Sequence, residues 1–232
     1  MRRFYRTVGA ETRPSGHGVT LDGRAVRTPA GNPLILPNRA LADAIAEEWR
    51  VQGEKVVPAT MPMTQLANGV IDRIAPARPL IVEQLAAYAE TDLLCHWAEG
   101  PEELVVRQRR HWQPVLDWAA TDLDARLRPV PGIVARRQPD SAIAALKTVV
   151  AGLDPFRLGT VNVLTNGTGS LLIGLAVVRG RLSLEEAWQA AQVDEAYQAE
   201  KWGEDTDAVA RRAAIKADLD AAVRFLALVA QA

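Results

Sequence analysis

Cysteine and histidine are scarce in this chain of 232 residues, which has one cysteine, Cys95, and three histidines. A single cysteine cannot form an intramolecular disulfide and is typical of a protein in a reducing compartment. The histidines His17, His96 and His111 are not spaced like metal ligands, and Cys95 and His96 have no further ligand near them in the sequence. The sequence therefore predicts no metal site.

A surplus of either charge is missing too. The 27 basic and 28 acidic side chains leave a formal net charge of −1, whereas a protein that binds nucleic acid needs a basic surplus or a basic face. The longest apolar run, Leu171 to Val178, is much shorter than the roughly 20 residues of a membrane-spanning helix. The first residues show neither an apolar nor a long amphipathic leader. We expect a soluble protein that neither binds nucleic acid nor inserts into a membrane.

Motifs for nucleotide binding and nucleophilic catalysis are also absent. The segment 166–170, Asn-Gly-Thr-Gly-Ser, precedes an apolar run but lacks the Gly-Lys-Ser/Thr of a phosphate-binding loop. Leu172 stands where a dinucleotide fingerprint would have its third glycine. The serines Ser141 and Ser183 have no histidine in a suitable context. The sequence predicts no catalytic residue and no cofactor.

The order of structural signals predicts an α+β protein. Residues 1 to about 37 have β character, including a hairpin with Asp22-Gly23 as its turn, and Asn38 is placed to cap the first helix. Two prolines in the segment 76–79 interrupt any regular element, and the chain beyond them has helical patterns. We predict a small N-terminal β-rich α/β domain and a larger, orthogonal all-α helical bundle. These domains are residues 1–76 and 77–232.

Two short apolar segments are harder to assign. Phe4 to Val8 is a candidate strand at the start of the chain. Leu171 to Val178 is apolar on every side, and we interpret it as the buried central helix of the bundle. A buried strand is the alternative, because periodicity cannot separate the two in so short a run.

The segment from Ser183 to Gly203 carries the clearest helix signals in the chain. Ser183 is a suitable N-cap, and Glu186, three residues later, completes a capping box. Gly203 is a suitable stop, because glycine reaches the left-handed conformation without a Cβ clash. The sequence predicts one helix of about 19 residues between them.

The apolar stripe of this predicted helix changes character along its length. Its members are Leu184, Ala187, Trp188, Ala191, Glu195, Gln198 and Trp202. A buried stripe has no place for the carboxylate of Glu195 unless a partner lies opposite it. Either Glu195 pairs with a basic residue of the same chain, or Glu195, Gln198 and Trp202 belong to a surface that binds another protein. The neighbouring Asp194 points about 100° away, so the two carboxylates do not converge for acid–base catalysis.

Tryptophan supplies half of the twelve aromatic residues. Large amphipathic rings suit domain cores and protein interfaces better than they indicate catalysis. We assign Trp49, Trp112 and Trp118 to the core.

A set of short motifs extends along almost the whole chain. In the N-terminal part they are Leu21-Asp22-Gly23-Arg24, Arg27-Thr28-Pro29, Leu41-Ala42, Glu48-Trp49, Gln52, Met61-Pro62-Met63-Thr64, Leu66, Asn68 and Asp72. In the C-terminal part they are Tyr88, Thr91-Asp92-Leu93-Leu94-Cys95, Gln108, Trp112, Pro114, Leu116-Asp117-Trp118, Gly169-Ser170, Asp194-Glu195, Tyr197-Gln198 and Trp202-Gly203. In this order and spacing they resemble the assembly chaperones of the soluble catalytic head of the F-type ATP synthase. Within that group they resemble the family that handles the α subunit.

The resemblance implies an α+β N-terminal domain, an orthogonal helical bundle, and a non-enzymatic assembly factor without nucleotide or metal. It implies a monomer that binds the free α subunit and prevents its aggregation until the β subunit arrives. We expect it in the bacterial cytoplasm, and leader-bearing relatives in the mitochondrial matrix. The predicted partner-binding residues are Glu195, Asp194, Gln198, Trp202 and Asp205. Two alternatives stay open, namely an enzyme with a small-molecule cleft between the domains and an interaction domain with another protein client.

Overall fold

The computed structural model describes residues 2–132 and 137–231 of the chain. Its helices and small antiparallel sheet confirm the predicted α+β class. The Cα positions divide the chain into two compact units. The first unit comprises Met1–Arg78, Pro155–Gly159 and Ala221–Ala232, and the second comprises Pro79–Asp154 and Thr160–Asp220. The domain boundary that the sequence suggests, between residues 76 and 77, stays a prediction.

The first unit contains the sheet. Its elements are β1 (Val8–Arg13), β2 (Gly16–Leu21), β3 (Arg24–Ala25), α1 (Arg39–Arg50) and α2 (Pro62–Gly69), which continues as a π-helical turn over Val70–Ile74. The strands are antiparallel in the order β1-β2-β3, with Val8 opposite Leu21 and Leu21 opposite Arg24.

The predicted hairpin turn is confirmed. Asp22 and Gly23 connect β2 to β3 with φ values of 49° and 75°, the positive values that a type I′ turn requires at both positions. The prediction of a strand from Phe4 to Val8 is wrong over most of this segment, because β1 begins only at Val8. The cause is local, because the backbone N–H of Thr7 bonds the Asp22 carboxylate at 2.8 Å instead of a neighbouring strand.

Helix α1 is fixed at its N-terminus by Asn38, as predicted. The Asn38 Oδ1 accepts a hydrogen bond from Leu41 N at 2.9 Å. Its Nδ2 donates to the carbonyl oxygens of Leu228 and Val229, at 2.8 and 3.0 Å, so this one amide also binds the end of the last helix. Phe225, near the end of the last helix, belongs to the same hydrophobic core as the sheet and α1.

The second unit is mainly helical. Its elements are α3 (Arg78–Ala87), β4 (His96–Trp97), α4 (Glu102–Asp122), β5 (Val130–Pro131), α5 (Asp140–Ala151), α6 (Pro155–Thr168), α7 (Leu171–Val178), α8 (Leu184–Ala191), α9 (Val193–Trp202) and α10 (Thr206–Val229). Strands β4 and β5 form a short parallel pair. Helix α6 begins, and α10 ends, among residues of the first unit.

Helix α7 is the buried helix that the sequence predicts, and the strand alternative is wrong. Its residues from Leu171 to Val177 are all buried. Ser170 caps it by accepting a hydrogen bond from Ile173 N at 3.1 Å, and the carboxylate of Asp92 accepts one from Ser170 Oγ at 2.7 Å. This buried carboxylate supports the helix end against its unpaired N–H groups.

The single helix predicted between Ser183 and Gly203 is wrong, because the chain breaks at Gln192 into α8 and α9. Both predicted ends are confirmed: the capping box of Ser183 and Glu186 is present, and Gly203 ends α9 with φ of 87°. The break has a packing reason. It moves the inward face of the second half to Val193 and Tyr197, both buried, whereas an unbroken stripe would turn the polar residues beyond it toward the core.

Candidate partner-binding surface

The outer face of α9, which we define as Glu195, Gln198 and Trp202, is directed away from the core. All three residues are exposed, and Trp202 is 77% exposed. At about 100° per residue, Glu195 and Trp202 lie on the opposite side of the helix from the buried Val193 and Tyr197. The structure therefore brings these three predicted residues together on one accessible surface.

Glu195 has no side-chain partner in the described part of the chain. Its carboxylate forms neither a hydrogen bond nor an ion pair with any residue of 2–132 or 137–231. Nearby acidic residues differ, since Glu200 pairs with Arg107 and Glu204 pairs with Arg212. The interpretation that Glu195 neutralises a basic residue of its own chain has no support in these contacts.

The two remaining predicted residues have structural contacts. Asp194 is partly buried and accepts a hydrogen bond from Gln108 Nε2 at 2.7 Å. Gln108 in turn accepts one from Ala98 N at 2.8 Å, so Asp194 faces α4. Asp205 is exposed, and its side chain accepts from Ala208 N at 3.1 Å in the first turn of α10. The outer face of α9 is thus formed without them.

Ion pairs on the side of α9 hold it against α4. Arg107 bonds Glu103 and Glu200, each at 2.7 Å, and Lys201 bonds Glu103 at 2.9 Å. The two cations lie 5.4 and 5.2 Å from the ring centre of Tyr197, close enough for cation–π attraction. Hydrogen bonds from Lys201 and Arg107 lower the pKa of Glu103, and one from Arg107 lowers the pKa of Glu200.

These lowered pKa values predict that α9 loosens from α4 in acid. Glu103 and Glu200 favour the folded state as carboxylates, so this contribution is complete above the ordinary pKa of 4.5 and is lost as the pH falls through the lower folded values. Hydrogen exchange of the α9 amides, corrected for the intrinsic rate, should show reduced protection near pH 4 relative to pH 7. In Arg107→Gln this pH dependence should shrink. Equal α9 protection at both pH values in the wild type would contradict the prediction.

A groove adjoins the outer face. It has a volume of about 470 Å³ and is lined by Trp188, Gln192, Ala196, Ala199, Glu200, Glu204 and Arg212. A second groove of about 280 Å³ shares Trp188, Gln192 and Ala196 with it. The buried Oε1 of Gln192 has no hydrogen-bond partner in the part of the chain that the structure describes. Sequence reasoning missed these grooves because they depend on the break at Gln192.

Two other kinds of site are absent from residues 2–132 and 137–231. Within these ranges no three His, Cys, Asp or Glu side chains are grouped so that they could hold a metal ion. No helix within them combines the length and the apolarity needed to cross a membrane.

Comparison with known proteins identifies the class. Residues 2–120 match the family model described as "ATP12 chaperone protein". The crystal structure of Atp12 from Paracoccus denitrificans is 42% identical and superposes with a TM-score of 0.95, covering 98% of this chain and 98% of that chain. Together with the α+β fold, these matches define an assembly chaperone. The chain belongs to the ATP12 chaperone family.

Two mitochondrial proteins from yeasts are also similar to this chain. The protein atp12, mitochondrial, of Schizosaccharomyces pombe is 24% identical over 219 residues, which cover 89% of this chain and 75% of that protein. The protein ATP12, mitochondrial, of Saccharomyces cerevisiae is 24% identical over 230 residues, covering 81% of this chain and 71% of that protein. The family membership confirms the resemblance stated from the sequence and the expected function, a chaperone of ATP synthase assembly.

Proposed function

We propose that the outer face of α9 binds the free α subunit of the ATP synthase head and keeps it from aggregating until it pairs with the β subunit. The observation that carries the proposal is the exposure of Trp202, at 77%, one helix face away from a well-packed core. Tryptophan is enriched among the residues that dominate binding energy at protein interfaces. A largely exposed indole on a stable helix is a candidate anchor for such an interface.

The composition of the face suits temporary binding. A client subunit that will later meet another subunit has a large apolar patch, which associates non-specifically when left open. A chaperone must cover this patch and still leave when the proper neighbour arrives. The carboxylate of Glu195 and the amide of Gln198 supply specificity and encounter rate, which polar groups contribute more than raw affinity.

The groove lined by Trp188, Ala196 and Ala199 extends this surface. The two alanines of its lining are small, and the Trp188 ring adds apolar surface, so a client side chain has room in the groove. A client side chain in the groove would lie beside one that contacts Trp202. This arrangement supports an interface with an apolar centre and a polar rim.

The proposal includes a monomeric protein of the bacterial cytoplasm that acts by binding alone, without catalysis or cofactor. Most charged side chains around α9 are engaged in ion pairs that hold the helix in place, which supports a preformed binding surface. A thermal-shift screen with nucleotides and common metabolites separates this proposal from an enzyme. A specific stabilisation by one of them would favour the enzyme alternative.

Two substitutions on the outer face test the client. We expect Trp202→Ala to weaken binding to the isolated α subunit by about 2 kcal/mol, roughly 30-fold, because it removes an interface anchor. Glu195→Lys should abolish rescue of α-subunit assembly, because it reverses a charge that no residue of the described chain compensates. The measurements are binding to purified α subunit and suppression of its light scattering, with circular dichroism as the test of folding.

Asp218→Lys is the matched control for Glu195→Lys. Asp218 is an exposed acid on α10 outside the outer face, so its reversal changes the net charge equally and should leave binding unchanged. Normal assembly by a folded Glu195→Lys protein would refute the assignment of this face. If a native lysate reproducibly yielded a partner other than the α subunit, that result would oppose the identification of the α subunit as the client.

A further inference from the structure

The first unit contains a cavity that the chaperone function of α9 does not use. It has a volume of about 620 Å³, within the usual range for ligand sites, and we call it the aromatic pocket. Its principal lining residues are Phe4, Tyr5, Val26, Trp49, Arg24 and Arg27. All of them lie within the first unit, so the pocket belongs to that unit alone.

The wall of the pocket is apolar and firmly held. The rings of Tyr5 and Trp49 meet edge to face with centres 5.6 Å apart, and Tyr5 Oη donates to the Trp49 carbonyl at 2.6 Å. Val26 is buried beside them. Phe4 packs edge-on against Tyr5 at 5.4 Å and is nevertheless 64% exposed. The pocket therefore has an aromatic wall joined by a hydrogen bond, and the large aromatic side chain of Phe4 at its edge.

The charge around the pocket is predominantly positive. The charged residues of its lining are two arginines, Arg24 and Arg27, and one carboxylate, Asp22. Arg24 forms no side-chain hydrogen bond or ion pair within the described residues, and Arg27 donates to the carbonyl of Gly31 at 2.8 Å, which leaves its charge uncompensated. Asp22 is the acid at the pocket, and its oxygens are taken by the N–H groups of Thr7 and Arg6, at 2.8 and 3.0 Å. Those hydrogen bonds lower the pKa of Asp22.

We propose that the aromatic pocket binds an acidic polypeptide segment that carries an aromatic or aliphatic anchor side chain. The anchor fills the apolar cavity, and flanking carboxylates meet Arg24 and Arg27, whose planar guanidinium groups suit paired hydrogen bonds to carboxylates. Phe4 indicates a polypeptide. A small molecule inside the cavity would leave its ring in water, whereas the residues on either side of an anchor would cover it.

The test uses the full-length protein and a fluorescein-labelled acidic nonapeptide with one central phenylalanine and glutamate elsewhere, measured by fluorescence anisotropy. Two further peptides are matched probes, one with lysine in place of every glutamate and one with alanine in place of the phenylalanine. We expect binding of the first peptide and at least tenfold weaker binding of each of the others, a difference of about 1.4 kcal/mol. Equal binding of the acidic and basic peptides would overturn the proposal.

Substitutions then place the site. Arg24→Glu and Phe4→Ala, both at exposed positions, should each weaken binding of the acidic peptide about tenfold or more, since one reverses a charge and the other removes the covering ring. Arg39→Glu is the control, because it reverses an exposed arginine of the same unit outside the pocket. Wild-type affinity in Arg24→Glu and Phe4→Ala would overturn the proposal. So would equally tight binding of phenylpropionate, which has the anchor and the carboxylate without a chain.

Glu195→Lys separates this proposal from the function of α9. It should bind the acidic peptide with wild-type affinity, even where it fails to rescue the α subunit. The peptide experiment contains no client protein, so the two proposals succeed or fail independently.

Discussion

Replacing Trp112 by alanine should lower the free energy of unfolding by about 3–5 kcal/mol, the usual loss when a buried tryptophan is truncated. Trp112 is 1% exposed, and its Nε1 donates to the carbonyl of Ala190 at 2.8 Å. The substitution opens a cavity in the core of the helical unit and leaves that carbonyl without its donor. At roughly 2–4 °C per kcal/mol for a chain of this size, we expect a melting temperature about 10 °C lower.

Two variants separate packing from hydrogen bonding in this result. Trp112→Phe keeps most of the ring contacts and loses only the N–H donor, so its loss should be intermediate. Trp202→Ala changes the same residue type at an exposed position and should stay within about 0.5 kcal/mol of the wild type. Denaturant unfolding followed by far-ultraviolet circular dichroism measures all three. A Trp112→Ala protein that melts within about 2 °C of the wild type would show that the core tolerates the loss.

Replacing Asp92 by alanine should be comparably severe, with a loss of about 3 kcal/mol or more. The carboxylate is fully buried and accepts hydrogen bonds from Ser170 Oγ at 2.7 Å, Leu94 N at 3.1 Å and Leu172 N at 3.2 Å. Burial raises the pKa of Asp92, and these donors act in the opposite direction. Alanine would leave the donors unpaired in a dry interior, where each costs about 1–3 kcal/mol.

Ser170→Ala is the comparison for this site. It removes one of the donors together with the cap of α7, so we expect a smaller loss of about 1 kcal/mol. The double variant should lose less than the sum of the two single losses, because both single substitutions break the same Ser170–Asp92 bond. Strict additivity in urea unfolding would mean that this bond contributes little to the stability of α7.

Local signals in the sequence were sufficient for much of the fold. Asn38, Ser183 and Gly203 mark the helix ends where the structure has them, because a cap depends on contacts with residues only a few positions away. The Asp22-Gly23 turn is predictable for the same reason. The burial of α7 could be predicted too, since an apolar run without a polar face has to be enclosed.

Contacts between distant residues could not be predicted in this way. Strand β1 begins after Thr7 because Asp22, fifteen residues later, takes the backbone groups of the preceding residues. Phe156 stacks with Phe225, with ring centres 6.0 Å apart, although no periodic pattern relates two positions so far apart in the sequence. The break at Gln192 could not be predicted from the sequence either, because it depends on the packing that buries Tyr197.

The candidate site was predictable in its residues and not in its geometry. The sequence identified Glu195, Gln198 and Trp202 as unusual on an apolar stripe, and the structure places them on the outside of α9. It also suggested Asp194 and Asp205, which the structure engages with Gln108 and with the first turn of α10. Sequence spacing gives the direction of a side chain on a helix, whereas its partner depends on which helix packs alongside.

The exposure of Trp202 has a practical consequence for following the client in real time. Trp112 and Trp118 are buried and the other three indoles are partly enclosed, so Trp202 is the ring whose emission should respond most to being covered by another protein. A stopped-flow record of that emission would test the proposed arrival of the α subunit and its later transfer to β without any attached dye. The same residue that we propose as the anchor is thus a native optical probe of the hand-over.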